Sequence, residues 1–197
     1  MAEGTHWIFL RHGESRANVE RWLSGHVDVE LTERGREQAR VAGRQLAEQP
    51  IERAWSSDLV RAAETARLAL AGRDVPLSFT PALRERRLGA WSRRSLDALR
   101  ASGETRELIA WEGDIPGGES CRDLAGRLLP WFAARASEPH AGPLLVVAHG
   151  GVIRILLGLI DGAPVASIGR EKVANAQPMH RRVTAATWAA LNARWGL

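Results

Sequence analysis

The sequence predicts an α/β fold: a three-layer α/β/α sandwich with a mainly parallel central sheet and a helical lid-like insertion. Short apolar runs of strand length alternate along the chain with longer segments of helical period, the pattern of a sheet crossed over by helices. Two of these runs, Trp7-Ile8-Phe9-Leu10 and Leu144 to Ala148, are apolar throughout and read as buried strands. They also end alike, Leu10 running into Arg11-His12-Gly13 and Ala148 into His149-Gly150-Gly151.

Trp7 to Leu10 is the first strand. Thr32 offers a hydroxyl cap to a helix whose apolar stripe, Ala39, Ala42 and Leu46, continues until Pro50. Arg53 to Ser56 reads as a short strand. Asp58 offers a cap to a helix with Leu59, Ala62, Ala63 and Ala66 on one face. Val75 to Phe79 is another strand, ended by Pro81. The stretch from about Leu83 to Pro116 is arginine-rich and irregular, and reads as short helices in an excursion from the main body. Ser120 and Asp123 form a capping box before Leu124, Leu128 and Phe132, with Pro130 expected to kink or end that helix. Leu144 to Ala148 is the second strongly apolar strand, and the helix behind it turns Val152, Ile155, Leu156 and Leu159 inward. Val183 to Ala190 reads as a late strand. The expected organisation is one domain over residues 1–197, with an irregular and helical insertion around 83–140.

The chain has 197 residues and 45% hydrophobic content, enough for one domain with a full core. Its net charge of +4 looks modest beside a sequence pI near 10.7 until the lysines are counted. Lys172 is the only one, and arginine does not titrate below about pH 12. With scattered tryptophans and no tyrosine, no basic-aromatic stripe for stacking bases is visible, which argues against a nucleic-acid partner. Cys121 is alone, so an internal disulfide and a cysteine zinc cluster are both excluded, and a reducing compartment fits. The opening residues lack a basic region, Arg11 interrupts the first apolar run too early for a signal peptide, and Ile155 to Ile160 is too short to cross a bilayer. A cytoplasmic location and no membrane partner are expected.

If the two apolar strands lie parallel near the centre of one sheet, His12 and His149 emerge together at its carboxyl edge, where open α/β folds bind ligands. Imidazole acts as a nucleophile or proton carrier near neutral pH, and arginine holds phosphate oxygens. Arg61 falls in the first turn of its helix, where a cation opposes the helix dipole and calls for an anionic partner. Bound phosphate is one such partner; Asp58 or Glu64 on the surface would be another. Glu85 is the one carboxylate in the basic stretch Arg84-Glu85-Arg86-Arg87, either a candidate acid or a solvated salt-bridging residue.

Five segments stand in order: RHGES at 11–15, GHVDVELTERGREQA at 25–39, SSDLVRAAETA at 56–66, LRERRLGAW at 83–91 and VVAHGGVIR at 146–154. In order and spacing they resemble the histidine phosphatase superfamily, the phosphoglycerate-mutase-like group, over most of the chain. The resemblance implies that His12 is a nucleophile forming a phosphohistidine, with Arg11, Arg61 and His149 around the transferring oxygens. It implies Asn18 as a donor to the phosphoryl group, Ser24, Gly25 and the Gly150 amide near the substrate, and Glu85 as the general acid. That acid role requires most of the heads of Arg84, Arg86 and Arg87 to face outward.

No metal and no cofactor are expected, because the arginines and histidines supply the positive charge and no carboxylate cluster has ligand spacing. His6, His26, His140 and His180 are expected to be solvated or structural. Two departures matter. After Gly89-Ala90-Trp91 many members continue with glutamate and glycine, whereas here Ser92-Arg93-Arg94 follows. The long insertion of true phosphoglycerate mutases, with paired arginines for the substrate carboxylate, is not recognisable. The expected function is therefore a phosphomonoesterase acting on a small-molecule phosphate ester, with mutase-type transfer as the alternative and a non-catalytic phospho-ligand-binding protein behind it. Arg84, Arg87, Arg93 and Arg94 hint at a second anionic group on the substrate. Oligomeric state is left open.

Overall fold

A computed structural model describes residues 4–168 and 172–196. Along them run β1 (Thr5–Arg11), α1 (Arg16–Val19), α2 (Glu33–Gln45), β2 (Arg53–Ser57), α3 (Val60–Ala69), β3 (Leu77–Thr80), α4 (Leu96–Ala101), α5 (Thr105–Ile109), α6 (Cys121–Ala136), β4 (Leu144–Ala148), α7 (Gly150–Ile160), α8 (Val165–Ile168), β5 (Pro178–Val183) and α9 (Ala185–Trp195). The strands form one sheet in the order β3-β2-β4-β1-β5. β1 to β4 are mutually parallel, and β5 runs antiparallel to β1 at the edge.

The unbroken apolar character of β1 and β4 follows from burial on both faces. Trp7 and Phe9 of β1, with Leu144, Val146 and Ala148 of β4, pack on one side against Leu124, Leu128 and Phe132 of α6, Val152 and Leu156 of α7, and Trp188 of α9. Ile8 and Leu10, with Leu145 and Val147, pack on the other side against Ala42 of α2, Leu46 just after it, and Ala66 of α3. Phe132 stacks on Trp188 at 4.7 Å between ring centroids, and Trp7 meets Trp188 edge-on at 5.6 Å.

This layering positions the site. β1 and β4 are neighbours, yet α2, the second helix after β1, and α7, directly after β4, cover opposite faces. The chain therefore parts at the carboxyl ends of these two strands and leaves a crevice between them. The ladder sets the depth: Arg11 pairs with Ala148, and His12 N–H donates to the Ala148 carbonyl at 2.9 Å.

Thr32 caps α2 through the Gly35 amide at 3.0 Å, and Ser120 caps α6 through the Asp123 amide, both as predicted. Three expectations are corrected. Asp58 does not cap α3; Leu59 occupies the cap position, the Val60 amide donates to Asp28 instead, and Asp58 pairs with Arg84. Of the two outcomes expected at Pro130, a kink or an end, the end does not occur: α6 continues to Ala136 because burial of Leu128, Leu129 and Phe132 outweighs the loss of one backbone hydrogen bond. The late strand is not Val183 to Ala190. β5 comes earlier and ends at Val183, Thr184 caps α9 through the Thr187 amide, and the alanine-rich stretch beyond is helix. The polar edge sequence His180-Arg181-Arg182 hid the strand.

Two glycines allow the loop after β1 to touch α2. A Cβ on Gly35 would strike the Glu14 backbone, and one on Gly13 would strike the Gly35 carbonyl. Gly35→Ala is expected to cost about 1–3 kcal/mol by overpacking, read as a lowered urea midpoint; an unchanged midpoint would show that this contact is not tight.

Candidate active site

His12 and His149, each next after a central strand, stand with ring centroids 5.3 Å apart. Both are buried, His12 at 4% exposure and His149 at 0%. His12 Nδ1 lies 2.7 Å from the Gly13 carbonyl. A carbonyl only accepts, so Nδ1 carries the proton and Nε2 holds the lone pair. His149 Nε2 meets the Ser57 hydroxyl at 2.9 Å, while its Nδ1 is buried with no protein partner. Burial first, then the guanidiniums of Arg61 and Arg11, push His12 well below its usual range; for His149, burial and Arg61 lead, followed by His12 and Arg11. Both rings are neutral near pH 7.

Arg61 is fully buried in the first turn of α3. Its head donates to the Val27 carbonyl at 3.0 Å and the Gly25 carbonyl at 2.8 Å, and its Nε finds no partner. Burial lowers its pKa to about 10, opposed by the attraction of Glu85 and Asp28, so it stays charged at neutral pH. The surface pairing considered for it does not occur: Asp58 binds Arg84 and Glu64 binds Arg36. Arg11 donates to the Val173 carbonyl at 2.6 Å, and its Nε is likewise buried and unpartnered. A Cβ on Gly150 would lie 3.4 Å from that Nε, so Arg11 is seated against the start of α7. Arg11 Nε, Arg61 Nε and His149 Nδ1 are thus unpaired nitrogens sealed from bulk water in one electrostatically coupled cluster. Such groups are costly unless a ligand's lone pairs meet them.

Glu85 faces this cluster and attracts both arginines. Its carboxylate accepts from the Arg86 amide at 2.9 Å and from the Gly151 amide in the first turn of α7 at 3.0 Å, where the helix dipole favours an anion. A side chain at 151 would occupy the carboxylate's place. Behind it, His26 Nε2 meets the Glu85 carbonyl at 2.7 Å, and Arg127 donates to the carbonyls of Ala82, Arg84 and Glu85.

The neighbouring arginines largely face away, as the acid role requires. Arg84 pairs with Asp58 and Arg87 is exposed, but Arg86 is an exception, buried with its head on Cys121 Sγ at 3.1 Å and on the Leu108 carbonyl. The hint of a second anion site also weakens: Arg94 pairs with Glu104, and Arg93 lies 5.9 Å over the Trp22 ring.

The Asn18 amide oxygen accepts from the Ser15 amide and from Asn175, whose side chain also holds the His12 carbonyl at 2.9 Å. Gly25, at φ +48°, serves through its carbonyl on Arg61, and Gly150 opens α7. Ser24 is half-buried, and its carbonyl accepts from the Val27 amide. Sequence reasoning gave no role to Ser57, Thr65, Asn175 or Arg127. Thr65 receives the Gly13 amide and donates to the Arg61 carbonyl, tying the two motifs together. Ser57 and Thr65 lay inside a recognised segment; Asn175 and Arg127 carried no local signal. His26 and His140 are structural, as expected, His140 bridging Glu52 and the Arg135 carbonyl. Among the described residues no group of three or more His, Cys, Asp or Glu could hold a metal, and no helix is long and apolar enough to cross a membrane.

The profile of the histidine phosphatase superfamily (branch 1) matches residues 7–195. An adenosylcobalamin/α-ribazole phosphatase of Salmonella typhimurium is 33% identical over 190 residues, covering 94% of this chain and 89% of the relative. A 2,3-bisphosphoglycerate-dependent phosphoglycerate mutase of Methylobacterium radiotolerans is 36% identical over 193 residues, covering 91% and 90%. The structure of a mycobacterial glucosyl-3-phosphoglycerate phosphatase in complex with VO3 superposes with a TM-score of 0.81 at 32% identity, covering 89% of this chain and 92% of that one.

The two suppressed imidazoles have a stability consequence. Below about pH 6.5 the unfolded chain protonates them and the folded chain does not, so stability is retained above that value and lost on acidification. A fall of about 2 kcal/mol in unfolding free energy between pH 7 and 5.5 is expected from urea titrations. A flat profile would mean that the rings protonate as readily folded as unfolded.

Proposed function

The chain belongs to the histidine phosphatase superfamily, branch 1, and on that premise we propose that His12 accepts the phosphoryl group from a phosphate monoester and passes it to water. The enzyme is a phosphoric monoester hydrolase acting on small phosphorylated metabolites, of a family that needs no metal. The observation that carries the residue assignment is the tautomer of His12: with Nδ1–H spent on the Gly13 carbonyl, Nε2 is a neutral nitrogen nucleophile beside two guanidiniums.

In the first step Nε2 attacks phosphorus in line, the P–N bond forms and the ester P–O bond breaks. Arg11, Arg61 and the Nδ1 side of His149 face the charge on the equatorial oxygens, with Asn18 and the Gly150 amide as further donors. Glu85, which takes up a proton when the phosphate dianion seats beside it, gives that proton to the departing alkoxide and so releases the alcohol. In the second step the Glu85 carboxylate takes a proton from water, the new P–O bond forms, and the P–N bond breaks to restore His12. Ser57 holds His149 for this task, and Ser24 and Gly25 shape the wall next to Arg61.

Hydrolysis is favoured over mutase transfer despite the mutase relative. A phosphoglycerate mutase needs cations for its substrate's carboxylate, and Arg84, Arg86 and Arg94 are already committed to Asp58, to Cys121 with Leu108, and to Glu104. Intact catalytic side chains speak against a role confined to binding. A cytoplasmic location and a single domain over 1–197 complete the reading, supported by the lone Cys121 and the chain's continuous match to one family.

His12→Ala should lower kcat on p-nitrophenyl phosphate by at least about 10⁴-fold with the circular dichroism unchanged, and near-normal turnover would remove His12 from the nucleophile role. Glu85→Gln should cost roughly 10²–10⁴-fold on an alkyl phosphate but far less on p-nitrophenyl phosphate, whose leaving group needs little protonation. Equal losses would contradict the acid assignment. Prolonged EDTA treatment should leave both rates unchanged, and loss restored by a divalent cation would overturn the metal-free scheme.

A further inference from the structure

A cavity of about 140 Å³ lies beside the proposed acid, with Glu85 and Gly151 in its lining. Its walls are Leu23, Leu88, Leu108, Ile109, Leu124 and Ile155. Arg86, Cys121 and Arg154 also border it. The Arg86 head is bound to Cys121 Sγ and the Leu108 carbonyl, so it props the wall and does not present itself to a ligand.

The location decides what this cavity receives. Glu85 serves the ester oxygen, so whatever carbon skeleton that oxygen carries must leave the phosphoryl hollow past Glu85. The space it meets there is lined mainly by leucine and isoleucine. A polyol or a sugar placed in it would surrender hydration from several hydroxyls with few partners in return. An apolar group gains by the same transfer. Size sets a second limit, since a dry apolar cavity of about 150 Å³ accommodates one benzene.

We propose that this enzyme's substrates are phosphomonoesters whose alcohol bears an apolar group about the size of one aromatic ring, near the ester oxygen, which seats in the cavity between α5, α6 and α7. The proposal rests on the hydrolase reading above and narrows it: hydroxyl-rich phosphates and phosphoglycerate are poor substrates. The same P–N bond to His12 forms and the same ester P–O bond breaks, and the alcohol released is the apolar one.

The test compares 2-phenylethyl phosphate with glycerol 3-phosphate, two primary alkyl esters of similar leaving ability, alongside 3-phosphoglycerate and acetyl phosphate. The last has a small, good leaving group that needs neither the cavity nor a strong acid. The expected kcat/KM for 2-phenylethyl phosphate exceeds that for glycerol 3-phosphate and for 3-phosphoglycerate by roughly 10- to 100-fold. Ile109→Trp fills the cavity and should bring the phenylethyl-to-glycerol ratio down to within about threefold of unity. Leu108→Ala enlarges it and should raise the relative rate on 2-(1-naphthyl)ethyl phosphate. Each readout is a ratio on one preparation, so partial unfolding of a variant does not imitate it. Equal rates, a preference for glycerol 3-phosphate or 3-phosphoglycerate, or ratios unmoved by both variants would overturn the cavity assignment while acetyl phosphate turnover upholds the hydrolase. Failure on the three esters and on acetyl phosphate alike would instead overturn the hydrolase reading, and this proposal with it.

Discussion

The parallel pairing of β1 with β4 is the constraint on which the site depends. Its register sets Arg11 opposite Ala148, and one further bond, from the His12 amide to the Ala148 carbonyl, carries the pairing to the last residue before the chains part. Side chains more than a hundred positions apart in sequence thereby become neighbours. A one-residue register slip would exchange the side chains that a strand gives to the two layers and separate the rings. The side chains that fix the register, Trp7 to Leu10 and Leu144 to Ala148, are all fully buried, so the core and the site are stabilised by the same residues.

Around that pairing the fold concentrates positive charge in a place that disfavours it. Arg61 is sealed from solvent and held by backbone carbonyls, while the carboxylate that attracts it most, Glu85, is drawn aside onto the first turn of α7. The cluster is polarised, with guanidiniums and imidazole nitrogens on one side and a single oxygen acid on the other. Thr65 and Asn175 lock the backbone around His12 to α3 and to Asn18, so the nucleophile and its anion-binding partners are held by short hydrogen bonds. Phosphoryl transfer rewards such fixed positioning more than any reactive group.

Much of this arrangement was legible in the sequence because its parts are local. The Arg-His-Gly and His-Gly-Gly turns follow strands that no other pattern explains, and Thr32 and Ser120 announce their helices by short-range chemistry. What escaped was of two kinds. Asp58 looks like a cap, but its carboxylate is claimed by Arg84 from a distant segment, and Asp28 performs the capping from another loop. Asn175 and Arg127 act on backbone carbonyls far along the chain, and nothing in their own neighbourhoods foretells it. β5 was missed because an edge strand exposed to solvent need not be apolar.

The central claim is that phosphate is held covalently on His12 during turnover. Rapid acid-free quenching of the enzyme with a ³²P-labelled substrate, followed by peptide mapping, tests it most directly. A phosphohistidine intermediate gives an alkali-stable, acid-labile label on the peptide containing His12, appearing and decaying at rates compatible with kcat. Label on another residue, or steady turnover with no protein-bound phosphate at any time, would contradict it.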